Sequence, residues 1–354
     1  MTGQPDRRIR GNIMNKVVKV TASGENPPDE IAIRVTDGEV SSKWLTFTKT
    51  GWVGFELDEP IAVKRYAISS ANDYSERDPS TWAFEGSQDG QSWTALDQQS
   101  NQSFAERFET RTYEFTNTTA YRHYRLNVTA VRGASSNILQ LSEVQLSTGD
   151  DAPPAVTDVM KSEIGGGPVA SWNARPGAGF TGTRALRFAG AVTANGRGYS
   201  YNKLFDVNIK VTPTTELSYL IFIDGVTTGD TRFPSTYAAL DLAFDDGTYL
   251  SDLNAVDQHH AVLSPAGQGA SRTLYSSEWN RKVSRIGDVA AGKTIKRILI
   301  GYDQPTGPVP AFGGWIDDVR ITAHPVHVKP ARLSDYASTL RGTNSSGSYS
   351  RGNN

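Results

Sequence analysis

The chain has 354 residues, a formal net charge of −2 and no cysteine. That length exceeds one ordinary β-sandwich and points to two domains. The near-neutral charge excludes nucleic-acid binding by bulk electrostatics, and the lack of cysteine speaks against a disulfide-stapled eukaryotic module, favouring a bacterial protein. With 33 Gly, 17 Pro, 14 Tyr, 13 Phe and 7 Trp, and apolar residues in short runs, the composition predicts an all-β protein with many turns.

Residues 1–15 read as a flexible lead. The opening MTGQPDRRIRGNIM has no apolar core of signal-peptide length, and no segment approaches a membrane span. The start is read as a processed boundary, so the expected location is secreted or cell-surface. The first domain is expected over 16–148. Val17–Thr21 alternates as a strand. Asp37-Gly38 marks a tight turn that can present a carboxylate and several carbonyls together, which suits a hard cation such as Ca²⁺; the competing expectation is a plain turn with solvated acids. Gly51–Leu57 and Ile61–Ser69 alternate as strands, with Trp52 and Phe55 at opposite parity.

The most informative stretch is Ser69–Trp93. A strand ends at Ser70, a polar loop runs from Asn72 to Pro79, and Trp82, Phe84 and Gly86 alternate along the next strand. Asp89-Gly90 then signals a hairpin turn. Loops at 72–78, 101–108 and 132–137 fall at sandwich ends, where binding residues concentrate. A hydroxylated ring ligand would need an aromatic face beneath it and planar polar groups on its hydroxyls. Tyr74 and Phe104 have the first chemistry, and Asp73, Arg77 and Asn137 have the second. The competing expectation is that Arg77 pairs with Asp78 and merely braces the loop. Arg122, His123 and Arg125 interleave with Tyr121, Tyr124 and Leu126, which reads as a period-two strand with one buried face rather than a nucleic-acid surface.

Residues 149–155 have linker composition, and a second sandwich is expected over 156–323. Its strand-like runs include 183–188, 200–207, 218–223, 237–244, 295–302 and 314–321, with no three-turn amphipathic helix. Asp252, Asp257, His259 and His260 cluster in sequence. Adjacent histidines on a strand would point to opposite faces, and no further ligand completes a tetrahedral set. No nucleophile elbow, dinucleotide fingerprint or P-loop occurs. Residues 324–354 read as a linker and a Gly/Ser/Asn-rich end.

Trp82, Phe84, Gly86, Ser87, Asp89, Gly90 and Trp93 spell W-x-F-x-G-S-x-D-G-x-x-W. Together with Asp37-Gly38, Lys43-Trp44, Tyr124-Arg125-Leu126 and Ser142-Glu143-Val144, this resembles the discoidin-like (coagulation factor type C) domains from about Lys16 to Leu146. Among them it is closest in wording to the family 32 carbohydrate-binding modules. The resemblance implies a galactose-binding-like jelly-roll sandwich with a structural calcium ion. Asp37 and Glu143 match the ligand positions, Ser42 stands where Thr is usual, and Glu39 is a further carboxylate.

Gly182–Phe188 and Gly314–Val319 resemble strands of jelly-roll carbohydrate modules, some of which hold calcium between an early Glu and a late Asp, here Glu163 and Asp317. The run from Tyr199 through Trp279 to Asp318 resembles the accessory region of bacterial glycoside hydrolase family 92, calcium-dependent exo-acting α-mannosidases that work by inversion. The end, RGTNSSGSYSRGN, resembles the opening of that family's catalytic region. The resemblance implies a non-catalytic binding and scaffolding region whose partners are terminal sugars of glycans and an absent C-terminal catalytic domain. The chain alone is then expected to turn over nothing. The alternative is a pair of spacer sandwiches with no ligand.

Overall fold

The structure, a computed structural model, describes residues 3–6, 11–149, 156, 157, 159–225 and 230–326. It is all-β, as the composition and alternation predict, and forms two sandwiches. Strand β1 (Gln4–Pro5) lies against the second of them. The first is built from β2 (Val17–Ala22), β3 (Trp44–Thr46), β4 (Gly51–Ile61), β5 (Arg65–Ser69), β6 (Pro79–Ser87), β7 (Thr94–Gln99), β8 (Thr110–Glu114), β9 (Tyr121–Val131), β10 (Leu139–Leu141) and β11 (Glu143–Ser147).

One layer is the five-stranded sheet β2-β4-β9-β6-β7; facing it are the sheet β11-β5-β8 and the pair β10-β3. Alternation decides which residues meet between them. Trp82 and Phe84 on β6, Tyr124 and Leu126 on β9, and Val53, Phe55 and Leu57 on β4 point inward, onto Tyr66 and Ile68 of β5 and Val144 and Leu146 of β11. The Tyr66 and Phe84 rings stack at 4.4 Å. Trp82 donates to the Tyr66 hydroxyl at 2.8 Å, and that hydroxyl donates to Asp97 at 2.7 Å, so the buried polar tips of both rings are satisfied. Gly86 is required by close approach: a Cβ there would lie 2.6 Å from the Tyr121 ring.

The second sandwich comprises β12 (Val156–Thr157), β13 (Met160–Gly165), β14 (Ala185–Lys210), β15 (Glu216–Ile223), β16 (Ala238–Phe244), β17 (Trp279–Ser284) and β18 (Thr294–Thr322), with short helices α1 (Pro265–Ser271) and α2 (Gly287–Ala290). β14 and β18 pair over most of their length, with register breaks where they bend. This lets two strands serve both layers: β13 joins β14, while β15 and β16 join β18. β15 is buried along its whole length. Leu217, Tyr219, Ile221 and Ile223 enter the main core, whereas Leu220 and Phe222 face outward onto a second apolar cluster with Ala174, Ala185, Trp279 and Trp315. A strand covered on both faces drops the polar alternation, as the YLIFI end of this strand (219–223) does.

The described residues of the lead contact both sandwiches. Gln4 and Pro5 pair with Lys203 and Asn202 of β14, adding a strand to the second sheet. Asn12 donates to the Gly247 carbonyl at 3.1 Å. Asp6 accepts from Arg297 Nε of β18 at 2.8 Å and from the Tyr249 hydroxyl at 3.0 Å. Arg297 is buried, donates also to the Gly38 carbonyl of the first sandwich, and reaches the Tyr249 hydroxyl at 3.2 Å. Burial alone would favour its neutral form; the Asp6 carboxylate outweighs this and holds the guanidinium firmly charged. Most of the expected linker (150–155) and the end of the chain (327–354) lie outside the described residues.

The Asp89-Gly90 hairpin forms as read, with Gly90 at φ 69°. The Asp89 carboxylate accepts the backbone N–H groups of Ser92 and Gln91, both at 2.8 Å, which depresses its pKa to about 2. A depressed carboxyl contributes its stabilisation above the unfolded value of about 3.9 and loses it as pH falls through the folded value. A carboxyl NMR titration should therefore place the Asp89 midpoint near 2, and Asp89→Asn should flatten the acid limb of the stability profile. A midpoint at the ordinary aspartate value would show that the turn does not make these bonds.

Candidate functional site

The strand ends gather the loops. β5 ends at Ser69, β6 begins at Pro79, β4 begins at Gly51 and β9 ends at Val131, with Pro79 paired to Val131 and Gly51 to Val128. Connections 47–50, 70–78 and 132–138 therefore emerge at one end of the first sandwich. Gln99 pairs with Trp82 near the start of β6, so the 100–109 loop joins them.

Tyr74 sits at the tip of this end. It is exposed and has φ 38°, in the left-handed region that side chains other than glycine seldom adopt. The Arg77 guanidinium lies 3.9 Å from its ring centroid, over one face of a side chain that stays 56% exposed. The expected Arg77–Asp78 pairing does not occur. Asp78 is fully buried and bound by Arg107, whose Nη1 donates at 2.9 Å and whose Nη2 donates to the other oxygen. Arg107 Nη1 also reaches the carbonyls of Ala71 at 3.2 Å and Asp73 at 3.1 Å. Burial dominates the Asp78 carboxyl and raises its pKa despite this partner. Arg107 thus ties the 70–78 loop to the 100–109 loop. Sequence reading missed it because its partner lies 29 positions away.

Asp73 is a positioning group. It accepts from buried Lys43 at 2.8 Å, and Gln140 donates to the Asp73 carbonyl at 2.7 Å. Partial burial works against ionisation, but the Lys43 bond prevails and holds the carboxyl below its usual range. Phe104 corrects an expectation. It is fully buried in the first core, with Arg111 at 5.7 Å from its ring, so it cannot stack on a ligand. An isolated aromatic in a loop carries no parity to tell inward from outward. Asn137 is exposed on the 132–138 loop. That loop is held to the Tyr74 loop by Gly133 N–H to the Glu76 carbonyl at 2.8 Å and Arg132 N–H to the Asp78 carbonyl at 2.9 Å.

At the same end lies a feature that sequence reading passed over. An open groove of about 550 Å³ runs between Ser23–Glu25, the Phe47–Thr50 turn and Asn127–Thr129 of β9, with Trp52 also lining it. Phe47 is exposed and Trp52 half-buried. The available signal was Phe47 set among threonines in a turn, where no core claims an aromatic.

The Asp37 turn forms as read. Ser42 Oγ lies 3.0 and 2.9 Å from the Asp37 carboxylate oxygens, 3.0 Å from the Glu39 carbonyl and 3.4 Å from the Arg34 carbonyl. Glu143 points into the same region. Burial first, and then the Asp37 charge, push its carboxyl well above the usual range, and its Oε1 has no hydrogen-bond partner. Burial likewise raises Glu39. A cavity of about 60 Å³ bordered by Gly38, Glu39, Glu143 and Arg297 separates this turn from the second sandwich.

The other proposed pair is not brought together. Glu163 is exposed on β13, paired to Arg187, which in turn pairs with Trp315; Asp317 lies two residues further along β18. Asp317 instead accepts from Thr181 N at 2.9 Å and Thr181 Oγ1 at 3.2 Å, pinning the loop before β14. His259 and His260 are exposed in a turn, while Asp257 is buried against Lys282 at 2.7 Å. Among the described residues no group of three or more His, Cys, Asp or Glu side chains is placed to hold a metal ion, and no helix is long and apolar enough to cross a membrane.

Residues 34–126 match the profile of the F5/8 type C family described as a NedA-like, galactose-binding domain. A 134-residue stretch is 37% identical to the peptide-N(4)-(N-acetyl-β-glucosaminyl)asparagine amidase of Arabidopsis thaliana; it covers 36% of this chain and 19% of that protein, so the chain spans about a fifth of the curated relative it matches. Among solved structures, a family 32 carbohydrate-binding module of Clostridium perfringens in complex with GalNAc-β-1,3-galactose is similar, with 17% identity and a TM-score of 0.34, over 38% of this chain and 99% of that one. A Streptococcus pneumoniae fucose-binding module shows 18% identity and a TM-score of 0.33, over 40% and 99%. The profile match shows an F5/8 type C (discoidin-like), galactose-binding-like domain within the first sandwich, over residues 34–126.

Arg107→Ala would strand the buried Asp78 carboxylate and release the two loops together. Breaking one side of such a pair costs about 3 kcal/mol or more. Urea denaturation should show that loss, whereas a change below about 0.5 kcal/mol, the range of an ordinary surface substitution, would show that Arg107 is not the brace.

Proposed function

We propose that this chain is a non-catalytic carbohydrate-binding and scaffolding region that holds terminal sugars at the loop end of its first sandwich. The observation that carries this is Tyr74, an exposed aromatic held in a strained backbone conformation by loops that Arg107, Lys43 and Gln140 tie to the core. One ring face is taken by Arg77 while the side chain as a whole stays exposed, which suits stacking against the apolar face of a pyranose. Arg77 and Asn137 supply hydrogen-bonding groups beside it, and the Phe47–Trp52 groove extends the same surface. The similar modules solved with GalNAc-β-1,3-galactose or galactose bind sugars on this kind of domain.

The finer reading is that the region belongs to a secreted or surface-bound bacterial enzyme resembling the family 92 exo-α-mannosidases. Its support is the sequence resemblance of residues 199–318 and of the chain end. This chain alone should then leave aryl α-mannosides intact. Calorimetric titration with D-galactose, D-mannose and N-acetyl-D-glucosamine at millimolar concentrations tests the binding reading. Saturable heat with at least one sugar is expected, and Tyr74→Ala should weaken it about fivefold, the worth of one stacking contact of roughly 1 kcal/mol. No heat with any of the three would favour the spacer reading.

The Asp37 turn fits a structural calcium ion held by Asp37 and Glu143, the Ser42 hydroxyl and neighbouring carbonyls, with Glu39 nearby. The donors are all oxygen, and the unpartnered, buried Glu143 Oε1 is the atom such an ion would satisfy. A cation bound only by the folded state raises stability by about 2.7 kcal/mol at a hundredfold excess over its Kd. Added calcium should raise the melting temperature, chelator should lower it, and Glu143→Gln should abolish the response. A melting temperature indifferent to both additions would remove the calcium proposal.

A further inference from the structure

Exposed aromatic side chains also gather at one edge of the second sandwich. Trp172 (65% exposed), Tyr275 (69%), Phe180 and Phe233 are all solvent-facing there. Backbone bonds bring their segments together: Trp172 N–H donates to the Ser277 carbonyl at 3.0 Å, and Asn173 exchanges hydrogen bonds with the Trp279 backbone at 2.9 and 2.8 Å. Phe180 contacts the Trp279 ring edge-on at 6.3 Å. Beside this edge is a cavity of about 190 Å³, walled by Phe233 and Tyr275 and closed at its base by Ile223 and Leu274.

The walls are rigid. Phe233 has φ 52° and Ser277 φ 64°, two left-handed residues without glycine's freedom, flanking one cavity. Strain of this kind persists only where the surroundings enforce it, and it concentrates at functional sites. The enforcement is visible. The Phe233 carbonyl accepts from Thr236 N at 3.0 Å and Thr236 Oγ1 at 2.7 Å. Asn280 accepts from Tyr275 N at 2.9 Å and donates to the Tyr275 carbonyl at 2.8 Å. Arg232 is anchored to the Pro308 carbonyl at 2.9 Å, fixing the start of the Phe233 turn.

The lining chemistry selects the ligand. Among the described residues that line the cavity none carries a charged side chain, which disfavours phosphates, carboxylates and metal ions. Its polar side chains are the hydroxyls of Ser235, Thr236 and Ser276, and its open sides are aromatic. Hydroxyls between aromatic walls match a neutral, hydroxylated ring with an apolar face. We propose that the second sandwich carries its own carbohydrate subsite here, taking one neutral pyranose stacked on Tyr275 or Phe233. The site is independent of the Tyr74 loops and stands on the second sandwich's own residues.

The test uses the full chain and ligand-observed saturation-transfer NMR with the methyl glycosides of D-galactose, D-mannose and N-acetyl-D-glucosamine. A Tyr74→Ala/Arg77→Ala variant removes the first-sandwich site. It should retain saturable binding of at least one glycoside, and adding Phe233→Ala and Tyr275→Ala should weaken that residual binding tenfold or more. The melting transition of each variant confirms folding, since all four side chains are solvent-accessible. Residual binding that survives the Phe233 and Tyr275 changes, or no residual binding at all, overturns the proposal; the latter result would assign the exposed aromatics to a protein contact instead. Because the two pairs of substitutions are separate, failure at this edge is distinguishable from failure at the Tyr74 loops.

Discussion

Arg297 is the group on which the arrangement of this chain depends. A buried guanidinium must be compensated, because an unpaired charge out of water costs several kcal/mol. Its compensation comes from three distant segments: the Asp6 carboxylate of the lead, the Gly38 carbonyl of the first sandwich and the Tyr249 hydroxyl of the second. Of these contacts, the one to the Gly38 carbonyl joins the two sandwiches and is lost if they separate; those to Asp6 and Tyr249 stay with the second sandwich and the strand added to it. The same charge stands 3.9 Å from Glu39 and acts on Glu143. The carboxyls around the Asp37 turn are therefore partly compensated by Arg297, in the same negative region where the proposed calcium ion would sit.

Strand residues were legible in the sequence because alternation states which face is buried. Trp82, Phe84, Tyr124 and Leu126 take the inward positions their parity assigns, and Asp89-Gly90 forms its turn. The continuous run ELSYLIFI was legible as a strand, but its coverage on both faces was not. That coverage comes from a loop near Ala174 and from Trp279, each far away in sequence.

The candidate site was less legible, for a different reason. Loops have no period, so Phe104 and Tyr74 look equivalent until the fold buries one and exposes the other. Polar loop residues look like ligands until their partners appear. Asp73 is taken by Lys43 and Asp78 by Arg107, contacts spanning 30 and 29 positions. The lead looked flexible because two residues of strand carry no pattern, yet β14 offers them an edge. Chemistry alone names the types of side chain to look for; which copies of those types remain available is decided by long-range pairing.

The two aromatic edges share one construction. At each, an aromatic residue is locked in a left-handed conformation, Tyr74 at 38° and Phe233 at 52°, with neighbouring polar side chains consumed in holding it. Arg107, Lys43 and Gln140 fix the first; Thr236, Asn280 and Arg232 fix the second edge. A sugar offers few apolar contacts and trades its hydroxyl bonds with water for bonds of similar strength, so little net energy remains to order a mobile loop. Loops ordered beforehand by internal ion pairs and Asn or Thr bridges avoid that entropy loss. The polar residues most conspicuous in the sequence therefore act mainly by keeping the aromatic faces still.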